Sequence, residues 1–239
     1  THVDRSIEDP LLFAQDNVIG TVNLLNFAKE IPNLEKFFNF STDEVYGPAS
    51  EGYTFKETDM HNPKNPYAAS KSGQEAFGIA FHNTYELPII TTHTMNIFGE
   101  RQHSEKFIPI CIKKILAGEI VQIHSDLTKA KSGSRFWIHA RNVADALMFL
   151  IDKGISGETY NIVGEKEVSN LDMAKFIANI LGKELKYEMV DFHSSRPGHD
   201  LRYALDGAKM QKIGWRLPKT FEESLKKTIK WSVKNLLWL

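Results

Sequence analysis

Apolar residues recur at helical spacing in six segments of the chain. The first helix can be capped by Asp9 and can begin at Pro10, a residue that suits the first helical turn. Ser169 is placed to cap a later helix, and Thr220 with Glu223 forms a capping box before the last one. The predicted helices are PLLFAQDNVIGTVNLLNFAKEI, PYAASKSGQEAFGIAFHNTY, KFIPICIKKILAGE, NVADALMFLIDKG, NLDMAKFIANILG and FEESLKKTIKWSVKN.

Short apolar or Ile- and Thr-rich runs lie between these helices and predict strands: EKFFNFST, LPIITTHTMN, VQIHS, SRFWIH, ETYNIVG and LKYEMVD. Helix and strand alternate in the first half of the chain, which is typical of a parallel sheet wrapped by helices. From Asp126 onward the elements are shorter and predict a smaller mixed α+β region. The sequence therefore predicts an α/β protein with two interleaved parts, residues 1–125 and residues 126–239.

Composition limits the classes of function that fit the chain. Its 239 residues are 42% hydrophobic and carry a formal net charge of -1, so no basic field that would attract nucleic acid is predicted. No apolar stretch approaches the roughly 18 residues that span a bilayer. The single cysteine, Cys111, lies in an apolar run and is predicted to be core. A cytoplasmic protein in a reducing compartment is expected.

The strand FFNFST ends abruptly in polar residues, in the stretch STDEVYG. Ligands of parallel α/β sheets collect at the carboxyl ends of the strands. Thr42, Asp43 and Glu44 are therefore candidates for a ligand site. The alternative is an ordinary solvated turn with helix-capping residues, and this stretch alone does not decide between the two.

Tyr67 and Lys71 are four residues apart in YAASK and would share one face of a helix. An ammonium group beside a phenol stabilises the phenolate and lowers the pKa of the tyrosine. Such a tyrosine can remove a proton from a substrate hydroxyl. A YxxxK spacing also occurs by chance in many helices, so the pair predicts a catalytic role only in combination with the polar strand end.

The combination of STDEVYG, a polar loop and PYAASK resembles the extended short-chain dehydrogenase/reductase family, and within it the nucleotide-sugar 4,6-dehydratases. NVIGT, NIFGERQHSEKFIP, SRFWIH and RPGHDLRY resemble further segments of that family. The resemblance covers essentially the whole chain. It implies that residues 1–125 are the C-terminal part of a Rossmann-type domain, a doubly wound parallel sheet that binds NAD and carries the catalytic residues. Residues 126–239 would mainly form a smaller mixed α+β domain that binds the nucleotide sugar.

The resemblance implies NAD as the cofactor, with Tyr67, Lys71 and Thr94 among the residues that hold it. Enzymes of the family begin with a Gly-rich strand–turn–helix that binds the NAD pyrophosphate. The present sequence opens at Thr1 without that fingerprint and is expected to correspond to the family without its first strands.

The implied reaction oxidises the sugar at C4, eliminates water across C5 and C6, and returns hydride to C6. By resemblance, Tyr67 takes the C4 hydroxyl proton and Thr42 binds the C4 oxygen. Glu44 removes the C5 proton, and Asp43 protonates the departing C6 hydroxyl. Lys71 completes the catalytic set. The adjacent Asp and Glu distinguish a dehydratase from the related epimerases, which do not expel a C6 hydroxyl and do not need this pair.

The same resemblance implies a set of substrate-binding residues in the later part of the chain. Their side chains are amides, carboxylates and cations suited to phosphates and sugar hydroxyls, and guanidinium groups suit bidentate phosphate contacts. The predicted residues are Asn96, Glu105, Lys106, Gln122, Arg135, Arg196 and His199.

Several departures from the dehydratase pattern leave the nucleotide and the sugar open. The chain has Asn96-Ile97-Phe98-Gly99-Glu100 and then Arg101-Gln102 beside the predicted nucleotide site, and HARNVADAL further on. Both dTDP- and UDP-sugars remain candidates. An NAD-dependent epimerase or decarboxylase is the alternative within the enzyme class, and a non-catalytic Rossmann-fold binding protein is the alternative outside it.

Two further predictions concern partners and metals. In the resembled family, the helix that contains NVIGTVNLLNFA and the Tyr67–Lys71 helix pair with their copies in a second subunit, so a homodimer with a four-helix bundle is expected. The histidines show no metal-ligand spacing, so no metal is predicted; those considered are His2, His61, His82, His103 and His124.

Overall fold

The computed structural model describes residues 3–191 and 201–239. By spatial contacts the chain divides into two compact units, each assembled from three segments. The first unit holds residues 1–95, 146–163 and 196–216, and the second holds 96–145, 164–195 and 217–239. This division rests on contacts alone, and the predicted division of roles between residues 1–125 and 126–239 stays a prediction.

The first unit is built on a three-stranded parallel sheet with strand order β1-β2-β7. Its strands are β1 (Phe37–Thr42), β2 (Ile89–Thr94) and β7 (Thr159–Ile162). All six residues of β2 are buried, as expected for a central strand of a parallel sheet. The parallel sheet predicted for the first half of the chain is confirmed.

The helices of this unit are α1 (Val3–Glu8), α2 (Pro10–Phe13), α3 (Gly20–Lys29), α4 (Pro66–Tyr85) and α8 (Ala208–Lys212), with a π-helical segment, Ala14–Ile19, joining α2 to α3. They pack on the sheet directly, as α3, α4 and α8 do, or pack on α4, as α1 and α2 do. Leu25 and Ala28 of α3 pack with Phe81 of α4 and with Leu87 and Ile89 at the start of β2. The predicted cap is confirmed, since the Asp9 carboxylate accepts the Leu12 amide at 3.1 Å.

The second unit contains three two-stranded sheets, with pairings β3-β6, β4-β9 and β5-β8. Its strands are β3 (Ile97–Phe98), β4 (Val121–Ser125), β5 (Ser134–Phe136), β6 (Ile138–His139), β8 (Glu167–Ser169) and β9 (Tyr187–Asp191). Its helices are α5 (Phe107–Ala117), α7 (Asn170–Leu181) and α9 (Phe221–Lys234), and α6 (Ala140–Lys153) begins in this unit and ends in the first. Cys111 lies in the core of the second unit, as predicted, and burial raises the pKa of its thiol to about 12.

The structure corrects the predicted elements in two respects. SRFWIH was predicted as one strand, but it forms β5 and β6, which pair with different partners. Trp137 lies between them, and its indole nitrogen donates to the Val168 carbonyl at 3.2 Å. The short elements α1, α8 and β8 were not predicted, because three to six residues carry too little periodicity. In the described ranges, no helix is long and apolar enough to cross a membrane.

Candidate active site

The carboxyl ends of two neighbouring strands define the candidate site in the first unit. Thr42 closes β1 and Thr94 closes β2, and the two residues are register partners in the parallel pair. Both side chains are buried. Register partners of adjacent strands lie about 5 Å apart, so the sheet itself places Thr94 beside the Thr42 turn.

A tight 3₁₀ turn, Asp43–Tyr46, follows β1 directly and carries both carboxylates, those of Asp43 and Glu44. Thr42 caps this turn: its hydroxyl accepts the Glu44 amide at 3.4 Å and donates to the Asp43 carboxylate at 3.0 Å. The turn ends at Gly47, whose φ of 75° suits glycine. Asp43 is only 5% exposed, so the alternative of a solvated turn does not apply to it.

Asn65 has two functions at this site, neither of which was predicted from the sequence. Its side-chain oxygen caps α4 by accepting the Ala68 amide at 2.8 Å. Its amide group donates to the Glu44 carboxylate at 3.0 Å. The Asn65-Pro66 pair is a recognisable helix start, but its contact with Glu44 depends on the tertiary fold.

Tyr67 and Lys71 lie one turn apart on α4, as predicted. The Tyr67 phenol is buried and hydrogen-bonded to the Thr42 side chain, and its ring packs edge-on against Phe13 with centroids 6.3 Å apart. Lys71 donates to the Phe40 carbonyl and to the Gln74 side chain, each at 2.5 Å.

The prediction that Lys71 lowers the pKa of Tyr67 is wrong. Burial raises the pKa of Tyr67, and the Glu44 and Asp43 carboxylates raise it further, against a smaller lowering by the Thr42 hydrogen bond. The Lys71 ammonium is bound to Phe40 and Gln74 instead. Burial also lowers the pKa of Lys71 to about 8, with Glu75 opposing.

The predicted substrate residues that are described lie on several elements of the second unit. Asn96 is exposed just before β3, and its carbonyl accepts the Ile138 amide at 3.2 Å. Lys106, which follows Glu105, occupies the position just before α5 and makes no side-chain capping bond. Gln122 is exposed on β4, whereas the buried Arg135 on β5 donates to the Ser134 carbonyl at 2.7 Å.

Thr42, Asp43 and Tyr67 share one hydrogen-bonded group in the first unit, and the described substrate residues all lie in the second unit. Arg196 and His199 lie outside the described residues. The roles of all these side chains stay predictions.

The fold and the site define a class of protein. A parallel sheet with Thr, Asp and Glu at one strand end, and a Tyr–Lys pair on the following helix, is the arrangement of an extended short-chain dehydrogenase/reductase. A family model described as GDP-mannose 4,6 dehydratase matches residues 1–228. The chain belongs to that family of nucleotide-sugar dehydratases.

Known relatives agree with this assignment. A dTDP-glucose 4,6-dehydratase of Xanthomonas campestris is 36% identical over 255 residues, covering 100% of this chain and 72% of that protein. A trifunctional UDP-glucose 4,6-dehydratase of Arabidopsis thaliana is 36% identical over 240 residues, which is 100% of this chain and 35% of that protein.

A solved structure is similar over the whole chain. It is a dTDP-glucose 4,6-dehydratase from Streptomyces venezuelae with NAD and TYD bound. The TM-score is 0.90 at 33% sequence identity, covering 100% of this chain and 72% of that one. The predicted Rossmann-type α/β fold is confirmed.

Proposed function

We propose that the protein is an NAD-dependent nucleotide-sugar 4,6-dehydratase that converts an NDP-hexose to the NDP-4-keto-6-deoxyhexose. The observation that carries this proposal is the turn after β1, which places Asp43 and Glu44 at the sheet edge within one hydrogen-bonded group with Thr42. Elimination of water needs a proton donor and a proton acceptor, and two adjacent carboxyl groups can supply both. An epimerase would have no use for the second carboxyl group.

The described residues fit one part of an NAD site. Two of the three Lys71 ammonium donors go to Phe40 and Gln74. The third would be available to a ribose hydroxyl of NAD, and Tyr67 and Thr94 would complete this part of the cofactor site. When bound, NAD supplies a hydride acceptor whose nicotinamide ring is positively charged. A positive charge near the phenol favours its ionised form and opposes the raised pKa of Tyr67.

Three side chains of the protein would each carry out one proton transfer. Tyr67 accepts the proton of the C4 hydroxyl, and its hydrogen bond with Thr42 orients the phenol toward that hydroxyl. Glu44, held by the Asn65 amide, removes the C5 proton. Asp43, held by the Thr42 hydroxyl, protonates the departing C6 oxygen.

The substrate contacts in the second unit are part of the same proposal. Asn96, Glu105, Lys106 and Gln122 would bind the sugar nucleotide, with Arg135 on its diphosphate, and Arg196 and His199 would contribute from the segment outside the described residues. The residues from 126 onward would mainly hold the nucleotide sugar, and residues 1–125 the cofactor and the catalytic groups. The buried thiol of Cys111 is compatible with a reducing cytoplasm.

The test is mass spectrometry of a panel of nucleotide sugars incubated with the protein and NAD, including dTDP-glucose and UDP-glucose. The expected product has lost one water from a hexose. The preferred member of the panel identifies the nucleotide. Turnover without a change of mass would indicate epimerisation and would contradict the roles given to Asp43 and Glu44.

We further propose that the protein forms a homodimer through α3 and α4, which would meet their copies in a four-helix bundle. Leu24 and Phe27 lie one turn apart on α3 and are both more than half exposed, and Ile19 precedes them with similar exposure. On α4, Phe77 is exposed as well. A two-fold interface lays one apolar face against its own copy, and this would bury all four side chains.

Substituting Phe27 with glutamate should shift the protein from dimer to monomer, because a carboxylate on the proposed interface would face its own copy. Light scattering coupled to size-exclusion chromatography measures the mass directly. Ile120→Glu, at an exposed apolar position in the second unit, is the matched control and should remain dimeric. A wild-type monomer at micromolar concentration, or a dimeric F27E variant, would contradict the proposal.

A further inference from the structure

Two buried polar side chains, Glu75 and His93, lie next to the candidate site and have no assigned role. Glu75 on α4 is 3% exposed and His93 on β2 is 1% exposed. The His93 ring nitrogen Nε2 lies 3.1 and 3.0 Å from the two carboxylate oxygens of Glu75. The Ser41 hydroxyl, next to Thr42 in the chain, donates to the same carboxylate.

The proton on the other His93 nitrogen follows from the orientation of Asn161. The Asn161 amide group donates to the Phe55 carbonyl at 3.0 Å and to the Asp206 carbonyl at 3.1 Å. Its side-chain oxygen is therefore the atom that faces His93 Nδ1, at 3.0 Å. An oxygen of an amide is an acceptor only, so Nδ1 carries a proton. The Tyr46 hydroxyl, 3.2 Å from Nδ1, can accept from the same proton.

Glu75 accepts the Ser41 hydroxyl, and its pKa lies below the ordinary value, so Glu75 is ionised and the proton between the two side chains lies on Nε2. A bare Nε2 lone pair about 3 Å from two carboxylate oxygens would be a repulsive contact in a buried site. Both ring nitrogens therefore donate, and the ring is an imidazolium cation beside an ionised carboxylate. Burial acts to raise the pKa of Glu75, but the hydrogen bonds and charge of His93, with the Ser41 bond, outweigh it and hold that pKa below its ordinary value.

Glu75 connects α4 to β1 through Ser41, and the predicted catalytic groups lie on α4 and directly after β1. Three side chains of one α4 face reach three consecutive residues of β1. Lys71 donates to the Phe40 carbonyl, Gln74 donates to the Asn39 side chain and to the Phe40 carbonyl, and Glu75 accepts from Ser41. His93 then connects Glu75 to the central strand β2. The strand end at Thr42 and the Tyr67–Lys71 face are therefore held by one set of contacts.

We propose that Glu75 and His93 form a buried imidazolium–carboxylate ion pair that positions the end of β1 against the Tyr67–Lys71 face of α4. The pair acts through Ser41 and Lys71 and does not touch the substrate, so both are positioning residues. The consequence for catalysis rests on the proposed function, whereas the protonation of His93 does not.

The other titratable groups around the pair are few among the described residues. His61 Nε2 lies 3.6 Å from Glu75 Oε2, and burial lowers the pKa of His61, which favours its neutral form. Burial and the Glu75 charge raise the pKa of Tyr46, so it is a neutral phenol. Lys71, one turn before Glu75, is the remaining cation. The Glu75 charge raises the pKa of Lys71 against the larger effect of burial, while His93 is the cation in direct contact with the Glu75 carboxylate.

The direct test is nitrogen-15 NMR of histidine-labelled protein. Both His93 ring nitrogens are expected to give the shifts of protonated nitrogens between pH 7 and pH 8 (about the range in which free histidine is neutral). His93→Gln assigns the signals by removing them. One unprotonated nitrogen would overturn the inference.

A bound metal is the competing explanation of the cluster. Donor atoms of His61, Glu75 and His93 lie within 4.8 Å of one another, a convergence that sequence spacing did not predict. Stoichiometric zinc in the purified protein, together with a metal-shifted His93 nitrogen, would overturn the ion pair.

The kinetic test uses Glu75→Gln, and the control is Glu86→Gln, at the exposed C-cap position of the same helix. In Glu75→Gln, the catalytic groups would be misplaced, so kcat is expected to fall by about tenfold to 100-fold with little change in KM. The control should keep the wild-type kcat. Loss of the Glu75 charge removes the contribution that raises the pKa of Lys71, so the alkaline fall in kcat should begin at lower pH.

The outcomes separate the two proposals. A purely structural role for Glu75 would lower thermal stability but leave kcat of the folded variant within about twofold of wild type, and that result would overturn the positioning role. If the NMR result holds and the wild-type protein dehydrates no nucleotide sugar, the proposed function fails while the ion pair stands. If the wild type dehydrates a nucleotide sugar and the His93 ring is neutral, the proposed function stands and the ion pair fails.

Discussion

Substituting Tyr67 with phenylalanine is expected to lower kcat by a factor of about 10² to 10⁴, the usual contribution of one positioned proton-transfer group. The change removes only the phenol oxygen that is bonded to Thr42 and leaves the ring packed against Phe13. Stopped assays analysed by mass spectrometry, with substrate saturating, measure the loss of water over time.

The matched control is Tyr85→Phe, at the exposed end of the same helix, where Lys29 lies 4.2 Å from the ring centroid. The phenylalanine ring keeps that cation–π contact, so activity should stay within about twofold of wild type. Both variants should unfold at nearly the wild-type temperature. A Tyr67→Phe enzyme with wild-type kcat would exclude the phenol as the base at C4.

The second large effect is expected at the carboxylate pair, where substitution of Asp43 and substitution of Glu44 should block different proton transfers. Asp43→Asn removes the proton donor for the C6 oxygen and leaves Glu44 able to exchange the C5 proton. Glu44→Gln removes the group that abstracts the C5 proton. Each change is expected to slow loss of water by about 10² to 10⁴.

Reaction in heavy water separates the two variants. Asp43→Asn should incorporate deuterium at C5 of unconverted sugar, whereas Glu44→Gln should not. Glu30→Gln, at an exposed carboxylate at the end of α3, is the control and should turn over normally. Equal exchange in both site variants would contradict the division of roles between Asp43 and Glu44.

Local sequence patterns predicted most of the elements that position the site. The alternation of apolar helices and strands led to the parallel sheet, and the caps at Asp9, Ser169 and Thr220 are present in the structure. The four-residue spacing of Tyr67 and Lys71 correctly placed them on one face of α4. These features depend on neighbours within a few residues along the chain, which is why the sequence alone reveals them.

The electrostatic state of Tyr67 was not predictable in the same way. Residue spacing suggested an ammonium group that lowers the pKa of the phenol, but the ammonium donates to the Phe40 carbonyl on β1. The Tyr67 pKa depends instead on burial and on Glu44, which is distant in sequence. Charge interactions and desolvation follow distance in space, so spacing along the chain cannot determine them.

Local patterns of residues were enough to predict the α/β class, the helix on which Tyr67 and Lys71 lie, and the carboxylates at the end of β1. The contacts between distant residues became known only from the folded chain: Asn65 with Glu44, Ser41 and His93 with Glu75, and Lys71 with Phe40. The reason is physical. Helix periodicity and capping are short-range preferences of the backbone, whereas a buried polar group takes whichever partner the packed strands and helices bring within hydrogen-bonding distance.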